Sequence, residues 1–271
     1  MNTNVASSPG PRPFETLALS EPVPGVTVVT LDRPQSLNAL DTTMMSEIGQ
    51  CFAAYYVDPG LARCLVLTGA GDRAFCAGAD LKERRTATAD PGELPMFVRV
   101  FQQIQAAPKP VVGRINGHAL AGGLGLAASC DISIAAESAT MGFTEVRIGV
   151  APAIISVVCL PKMRTADATM LFLTGERVGA ARAAEVGLIS KAVPDAELDK
   201  AVAEVVAKLR LGGPIALAKS KELLARVPAF ADQTEAFRWT AQMSAGLFAS
   251  DEGVEGMTAF AGRRPPNWAP Q

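Results

Sequence analysis

Asn116-Gly117-His118-Ala119-Leu120-Ala121-Gly122-Gly123-Leu124-Gly125-Leu126-Ala127-Ala128-Ser129-Cys130-Asp131 is the stretch whose reading decides the fold. An apolar, strand-like run, Val111-Val112-Gly113-Arg114-Ile115, leads into it. After a short turn the chain becomes small, apolar and compatible with a helix. Gly122, Gly123 and Gly125 stand where that helix should begin. Glycine there leaves backbone N–H groups bare and lets a ligand come very close. The helix dipole adds positive potential at the same point. Such a place suits an anion, or an oxygen that becomes anionic during a reaction. The competing account is a helix packed tightly on a sheet, with glycine serving only clearance.

Upstream, a second small-residue segment repeats the pattern. A buried strand over 63–68 runs through Gly69-Ala70-Gly71-Asp72-Arg73 into Ala74-Phe75-Cys76-Ala77-Gly78-Ala79-Asp80-Leu81. Before it, residues 26–31 form a β-branched strand closed by Asp32-Arg33-Pro34. A loop, Gln35 to Leu40, follows, and Asp41 N-caps a helix over 42–57. Residues 81–90 are charged and expected to be mobile, and a helix over 92–106 returns the chain to the central stretch. The recurring order of strand, short strand or loop, and helix predicts an α/β spiral.

Downstream, short strands are expected at 132–135 and 139–143. Thr144-Glu145-Val146-Arg147-Ile148-Gly149 places two charges among apolar neighbours, and 150–160 is apolar. A helix over 177–186 and a strand over 188–193 complete the expected core. From there the pattern is helical, with a stripe at Leu198, Val202, Val205, Val206 and Leu209. The organisation is thus a tail (1–13), a core (14–195) and a helical segment (196–271). The apolar face of that segment must cover either the core or a neighbouring subunit.

Composition narrows the function. The 271 residues are 49% hydrophobic and 19% charged, which fits a core-rich globular chain. A formal net charge of -2 and the lack of a Lys/Arg-rich run argue against a nucleic-acid partner. No apolar stretch approaches the roughly 20 residues that cross a bilayer, and the first 13 residues hold no signal-peptide core. Cys51, Cys64, Cys76, Cys130 and Cys159 are scattered without a C-x-x-C pair, as expected of reduced thiols in a cytoplasmic protein. The single histidine, His118, excludes multi-histidine metal sites, and no metal is expected.

Three segments taken together, 75–83, 116–123 and Gly142-Phe143-Thr144-Glu145, resemble the crotonase family of enoyl-CoA hydratases and isomerases. The resemblance runs from Leu31-Asp32-Arg33-Pro34 to Glu255–Phe260. It implies a spiral of β-β-α units with a helical C-terminal segment, assembled as a homotrimer or a dimer of trimers. It also implies an acyl-CoA substrate, with coenzyme A belonging to the substrate and no separate cofactor. The backbone N–H groups of Ala79 and Gly122 match the two donors that hold the thioester oxygen. Ser36, Leu37, Ala77, Asp80 and Leu81 match positions that contact coenzyme A. Phe260 and Arg263 match positions that reach a neighbouring subunit's nucleotide, although simple packing also accounts for Phe260. His118 matches no catalytic position and is expected to be structural.

Glu145 matches the carboxylate that exchanges a proton with the substrate's α-carbon. Its neighbours Phe143, Val146 and Ile148 should desolvate it and raise its pKa. Arg147 would oppose that shift or point away. A typical hydratase carries a second carboxylate three residues after the middle glycine, and here that position is Gly125. The expected activity is hydration of a 2-enoyl-CoA in fatty-acid or branched-chain acid degradation. The alternative is an enoyl-CoA isomerase with Glu145 as its single acid/base, and a third reading is a non-catalytic thioester binder. Gly123–Ala128 also fits the G-x-G-x-x-A dinucleotide fingerprint, but seven residues separate Ile115 from Gly123, so the first glycine does not follow the strand.

Overall fold

The computed structural model describes residues 14–57, 62–84 and 95–270. The expected tail over 1–13 and most of the segment expected to be mobile fall outside them.

Two antiparallel strands open the chain, β1 (Leu17–Val23) and β2 (Val26–Leu31), followed by helix α1 (Thr42–Val57). Then β3 (Cys64–Gly69) and β4 (Ala74–Cys76) lead to α2 (Leu81–Arg84) and α3 (Met96–Ala106). The next round is β5 (Val111–Ile115), β6 (His118–Leu120) and α4 (Gly122–Ser129). A third contains β7 (Ile132–Ala136), β8 (Thr140–Gly142), α5 (Ala153–Cys159) and α6 (Thr165–Thr174). Then come β9 (Arg177–Gly179), α7 (Ala180–Glu185) and β10 (Lys191–Val193). Four helices end the chain: α8 (Leu198–Leu211), α9 (Pro214–Arg226), α10 (Gln233–Ala249) and α11 (Asp251–Ala261).

After β1 and β2, which both join the larger sheet, each round gives one strand to each of two sheets. The larger sheet runs β1-β2-β3-β5-β7-β10 and the smaller β4-β6-β8-β9. All neighbours are parallel except β1 with β2 and β8 with β9. This is the expected spiral of β-β-α units. Parallel strands buried on both faces need apolar residues at successive positions, and these strands have them. Val29, Leu31, Leu65, Leu67, Val111 and Ile115 face one core, while Val26, Cys64, Val66 and Val112 face another.

The first core holds α1, α3 and α4. All eight residues of α4 are buried, as a helix without a polar face must be. Phe52, Phe75, Phe143 and Leu124 are fully enclosed there, each burial contributing about 1.5–3 kcal/mol. The second core is closed by α8 through Leu198, Ala201, Val202 and Val206. So the first helix of the C-terminal segment covers the sheet itself. By contrast α9 and α10 bury no side chain, and Leu224, Phe237, Phe248 and Phe260 stand exposed. Arg63 ties this segment to the sheet by donating to the carbonyls of Gly212 (2.6 Å) and Trp268 (2.7 Å).

Some elements differ from the sequence reading. The expected helix over 177–186 begins as strand β9, because Met141↔Val178 pairing captures its first residues. The expected strand over 188–193 shrinks to β10. The three-residue strands β4 and β6 stand where the sequence left a short strand or a loop open, being too short to carry a period.

Candidate active site

The strand end after β4 and the start of α4 meet at two backbone amides. Leu40 forms a parallel bridge with Ala79. It donates to Gly78 O (2.8 Å) and accepts from Asp80 N (2.9 Å). In a parallel bridge of that kind the central residue's own N–H points the other way. The Ala79 amide is therefore turned toward α4. Gly122 is the first residue of α4, where an N–H has no partner within the helix. The two amides converge: a Cβ built on Gly122 would lie 3.6 Å from Ala79 N. Among the described residues neither amide donates to a backbone oxygen.

Close approach explains the glycines. Gly78 has φ +97, and a Cβ there would stand 2.9 Å from Leu120 O and 3.1 Å from Gly122 N. Gly123 lies against Cys76, whose carbonyl oxygen would be 2.0 Å from its Cβ. Only glycine permits these backbones to touch. Ala121 precedes the amide at φ 48 and ψ −125, a conformation that disfavours any side chain. Its N–H donates to Gly142 O (3.0 Å), which anchors the turn to β8.

The amides open into a cavity of about 890 Å³ lined mainly by apolar groups, among them Ala77, Leu81, Phe97, Ile148, Ile154 and Ile155. Ala79, Gly122 and Glu145 all face it. Glu145 sits in a single-turn helix over Thr144–Ile148. Its Oε2 is buried without a hydrogen-bond partner among the described residues. Burial raises its pKa above the ordinary glutamate value. Arg147 does not counter this, because its Nε–H donates to Gly175 O (3.0 Å) instead. A carboxyl of that kind is suited to exchanging a proton near neutral pH.

The positions expected to contact coenzyme A divide. Ala77 and Leu81 line the cavity. Leu37 lies behind Ala77, accepting its amide at 3.0 Å, at the end of the turn that holds Ser36. Asp80 is turned to Arg33 (3.2 Å), which also pairs with Asp41 (3.0 Å). Burial pushes its pKa up, but the Lys82 amide and Arg33 outweigh that and hold it down. Asp80 therefore braces the loop. Phe260 is exposed at the end of α11, with Arg263 just beyond it at φ 50, and neither lines the cavity. His118 accepts from Thr140 N (3.3 Å) and joins β6 to β8, a structural placement.

Gly125 does not line the cavity, being packed against Phe101 and Ile155. Phe101 and Arg177 were not singled out from the sequence. Their own stretches carry no sign of them, since they act from α3 and β9, Phe101 by packing on Gly125 and Arg177 by lining the cavity. The dinucleotide reading loses its geometry too, because β6 intervenes between β5 and α4. All five cysteines are buried free thiols, with pKa values pushed up to about 12 by burial. Among the described residues no cluster of His, Cys, Asp and Glu could hold a metal. No described helix is long and apolar enough to cross a membrane.

Comparison with known proteins gives a consistent result. The family model described as enoyl-CoA hydratase/isomerase matches residues 22–271. Carnitinyl-CoA dehydratase of Escherichia coli K12 is 33% identical over 250 residues, 89% of this chain and 93% of that protein. The structure of Pseudomonas aeruginosa AtuE superposes with a TM-score of 0.88 at 35% identity, covering 94% of this chain and all (100%) of that one. Enoyl-CoA hydratase of Bacillus anthracis gives a TM-score of 0.87 at 30% identity, covering 93% and 98%.

Proposed function

Because the chain belongs to the enoyl-CoA hydratase/isomerase family, we propose that it moves a proton on the acyl chain of a coenzyme A thioester, with Glu145 as its single acid/base. The observation that carries this reading is the buried, unpartnered Oε2 of the half-buried Glu145, in the same cavity as the two converging amides. The thioester oxygen sits between the N–H groups of Ala79 and Gly122. Glu145 takes a proton from the α-carbon, and the electron pair moves onto that oxygen as an enolate. The amides stabilise the new charge, a contribution of about 3 kcal/mol per donor in comparable sites. With a 3-enoyl substrate the same carboxyl returns the proton at the γ-carbon, which yields the 2-enoyl isomer.

Adding water instead would need a second group to activate it. The position for that carboxylate is Gly125, which lies outside the cavity. The remaining ionisable groups among the described lining residues are Arg147 and Arg177. Isomerisation is therefore the first reading and 2-enoyl hydration the second, the latter favoured by relatives that bear the name hydratase. Assaying matched 2-enoyl and 3-enoyl thioesters decides between them. Loss of solvent-deuterium exchange at the α-carbon in Glu145→Gln, with binding of a saturated acyl-CoA retained, tests the shared step. Exchange that survives in that variant overturns it.

The exposed apolar residues of α9, α10 and α11 support assembly into a trimer or a dimer of trimers. Light scattering that reports a monomer at micromolar concentration would contradict this.

A further inference from the structure

The acyl cavity is apolar along most of its wall, through Ile148, Val150, Pro152, Ile154 and Ile155. Among the described residues its lining carries three ionisable side chains: Glu145, Arg147 and Arg177. The two arginines come from different elements, the single-turn helix that also carries Glu145 and strand β9. Gly175 joins them. Its carbonyl accepts the Arg147 Nε–H at 3.0 Å, and its φ of +59 with no Cβ lets the Arg147 stem lie alongside. Arg177 follows two residues later. Neither arginine has a carboxylate partner among the described residues. Pinning Nε orients the guanidinium plane and leaves both Nη groups of Arg147 to a ligand.

Two cationic forks beside an apolar channel match a particular chemistry. A planar guanidinium binds a carboxylate by paired hydrogen bonds, and an apolar wall holds the methylenes between. Glu145, with its pKa raised, adds less opposing charge than an ordinary glutamate would. The elements behind Ala77, where the coenzyme is expected, contribute neither arginine. Resting on the acyl-thioester reading above, we propose that this wall selects a substrate whose acyl group ends in a carboxylate: the mono-CoA thioester of an unsaturated dicarboxylic acid. Both arginines are exposed at the cavity rim, so solvent and salt screen them and the preference is about tenfold.

The test compares saturated mono-CoA thioesters of a homologous series of dicarboxylic acids with their ω-methyl esters and ω-trimethylammonium analogues. Affinity is measured by calorimetry on the full-length protein. The carboxylate probe should bind about tenfold tighter than its ester at one chain length, and the ammonium probe weakest. In Arg147→Gln/Arg177→Gln the ratio between acid and ester should fall to about one, and high salt should shrink it in the parent. Equal affinities for acid and ester throughout the series overturn the proposal. So does a double variant that weakens free coenzyme A as much as the acid thioester, because the arginines would then serve the nucleotide. Since no turnover is read, failure of the Glu145 reading leaves this result interpretable. Failure of every thioester to bind would instead remove both.

Discussion

A Cβ on Gly125 would stand 2.6 Å from Cγ2 of Ile155, and the Phe101 ring would be 2.7 Å away on another side. The space into which a second carboxylate would project is filled by hydrocarbon. A side chain at position 125 therefore has no room beside Phe101 and Ile155. A glycine in a helix ordinarily costs up to about 1 kcal/mol relative to alanine, but overpacking a core costs about 1–3 kcal/mol. Gly125→Ala should therefore lower stability by about 1 kcal/mol, seen as a lower denaturant midpoint at unchanged slope. A gain in stability would show that Phe101 and Ile155 yield freely.

The same packing governs any attempt to restore hydration. Gly125→Glu alone should gain no water addition, because its side chain starts inside two others. Gly125→Glu combined with Phe101→Ala and Ile155→Ala opens room for the carboxylate and should raise hydration of a straight-chain 2-enoyl thioester. If the single variant already hydrates well, the pocket is not closed as described.

Gly122 can be tested with an internal control. Any Cβ there meets Phe97 Cε1 at 2.8 Å, so Gly122→Ala and Gly122→Pro share that crowding. Only proline removes the N–H. Relative to Gly122→Ala, Gly122→Pro should lose a further 100-fold or so in turnover, with a much smaller loss in thioester affinity. Equal turnover in the two variants would mean that the amide does not stabilise the reacting oxygen.

Glu145 predicts a direction for stability against pH. Burial raises its folded pKa above the ordinary glutamate value of 4.5. Between that value and the raised one the folded state holds more protons than the unfolded state. This contribution to stability therefore falls as pH rises through that window and stays low above it. Glu145→Gln should remove the fall, so its thermal midpoint should gain on the parent at neutral pH and lose that advantage in acid. A constant difference across the range would place the slope in other groups. The parent's exchange activity should in turn rise with pH across the same window, as the carboxylate form appears.

Ala121 holds φ 48 and ψ −125, which suits glycine at the first central position of a type II′ turn. Ala121→Gly should stabilise the protein by about 1 kcal/mol by relieving that strain. Chemical denaturation measures it, and a loss of stability would show that the methyl packs usefully.

The sequence by itself determined the spiral, because each signal for it is local. Strands with apolar residues at successive positions require cover on both faces. Gly78, Gly122 and Gly123 announce close backbone approach, and Glu145 among Phe143, Val146 and Ile148 announces a desolvated acid. That Gly125 stands where a second carboxylate is expected came from the family resemblance, not from a local signal. What the sequence could not carry was anything made by residues far apart in the chain. Leu40 decides which way the Ala79 amide points, Phe101 and Ile155 decide what fills the space beside Gly125, and Gly175 holds Arg147 at the cavity that Arg177 also lines. The three-residue strands β4 and β6 belong here too, since their pairing with other rounds of the spiral defines them. Hydrophobic period and glycine placement are written along the chain. Hydrogen-bond direction and side-chain contact exist only once the rounds are stacked.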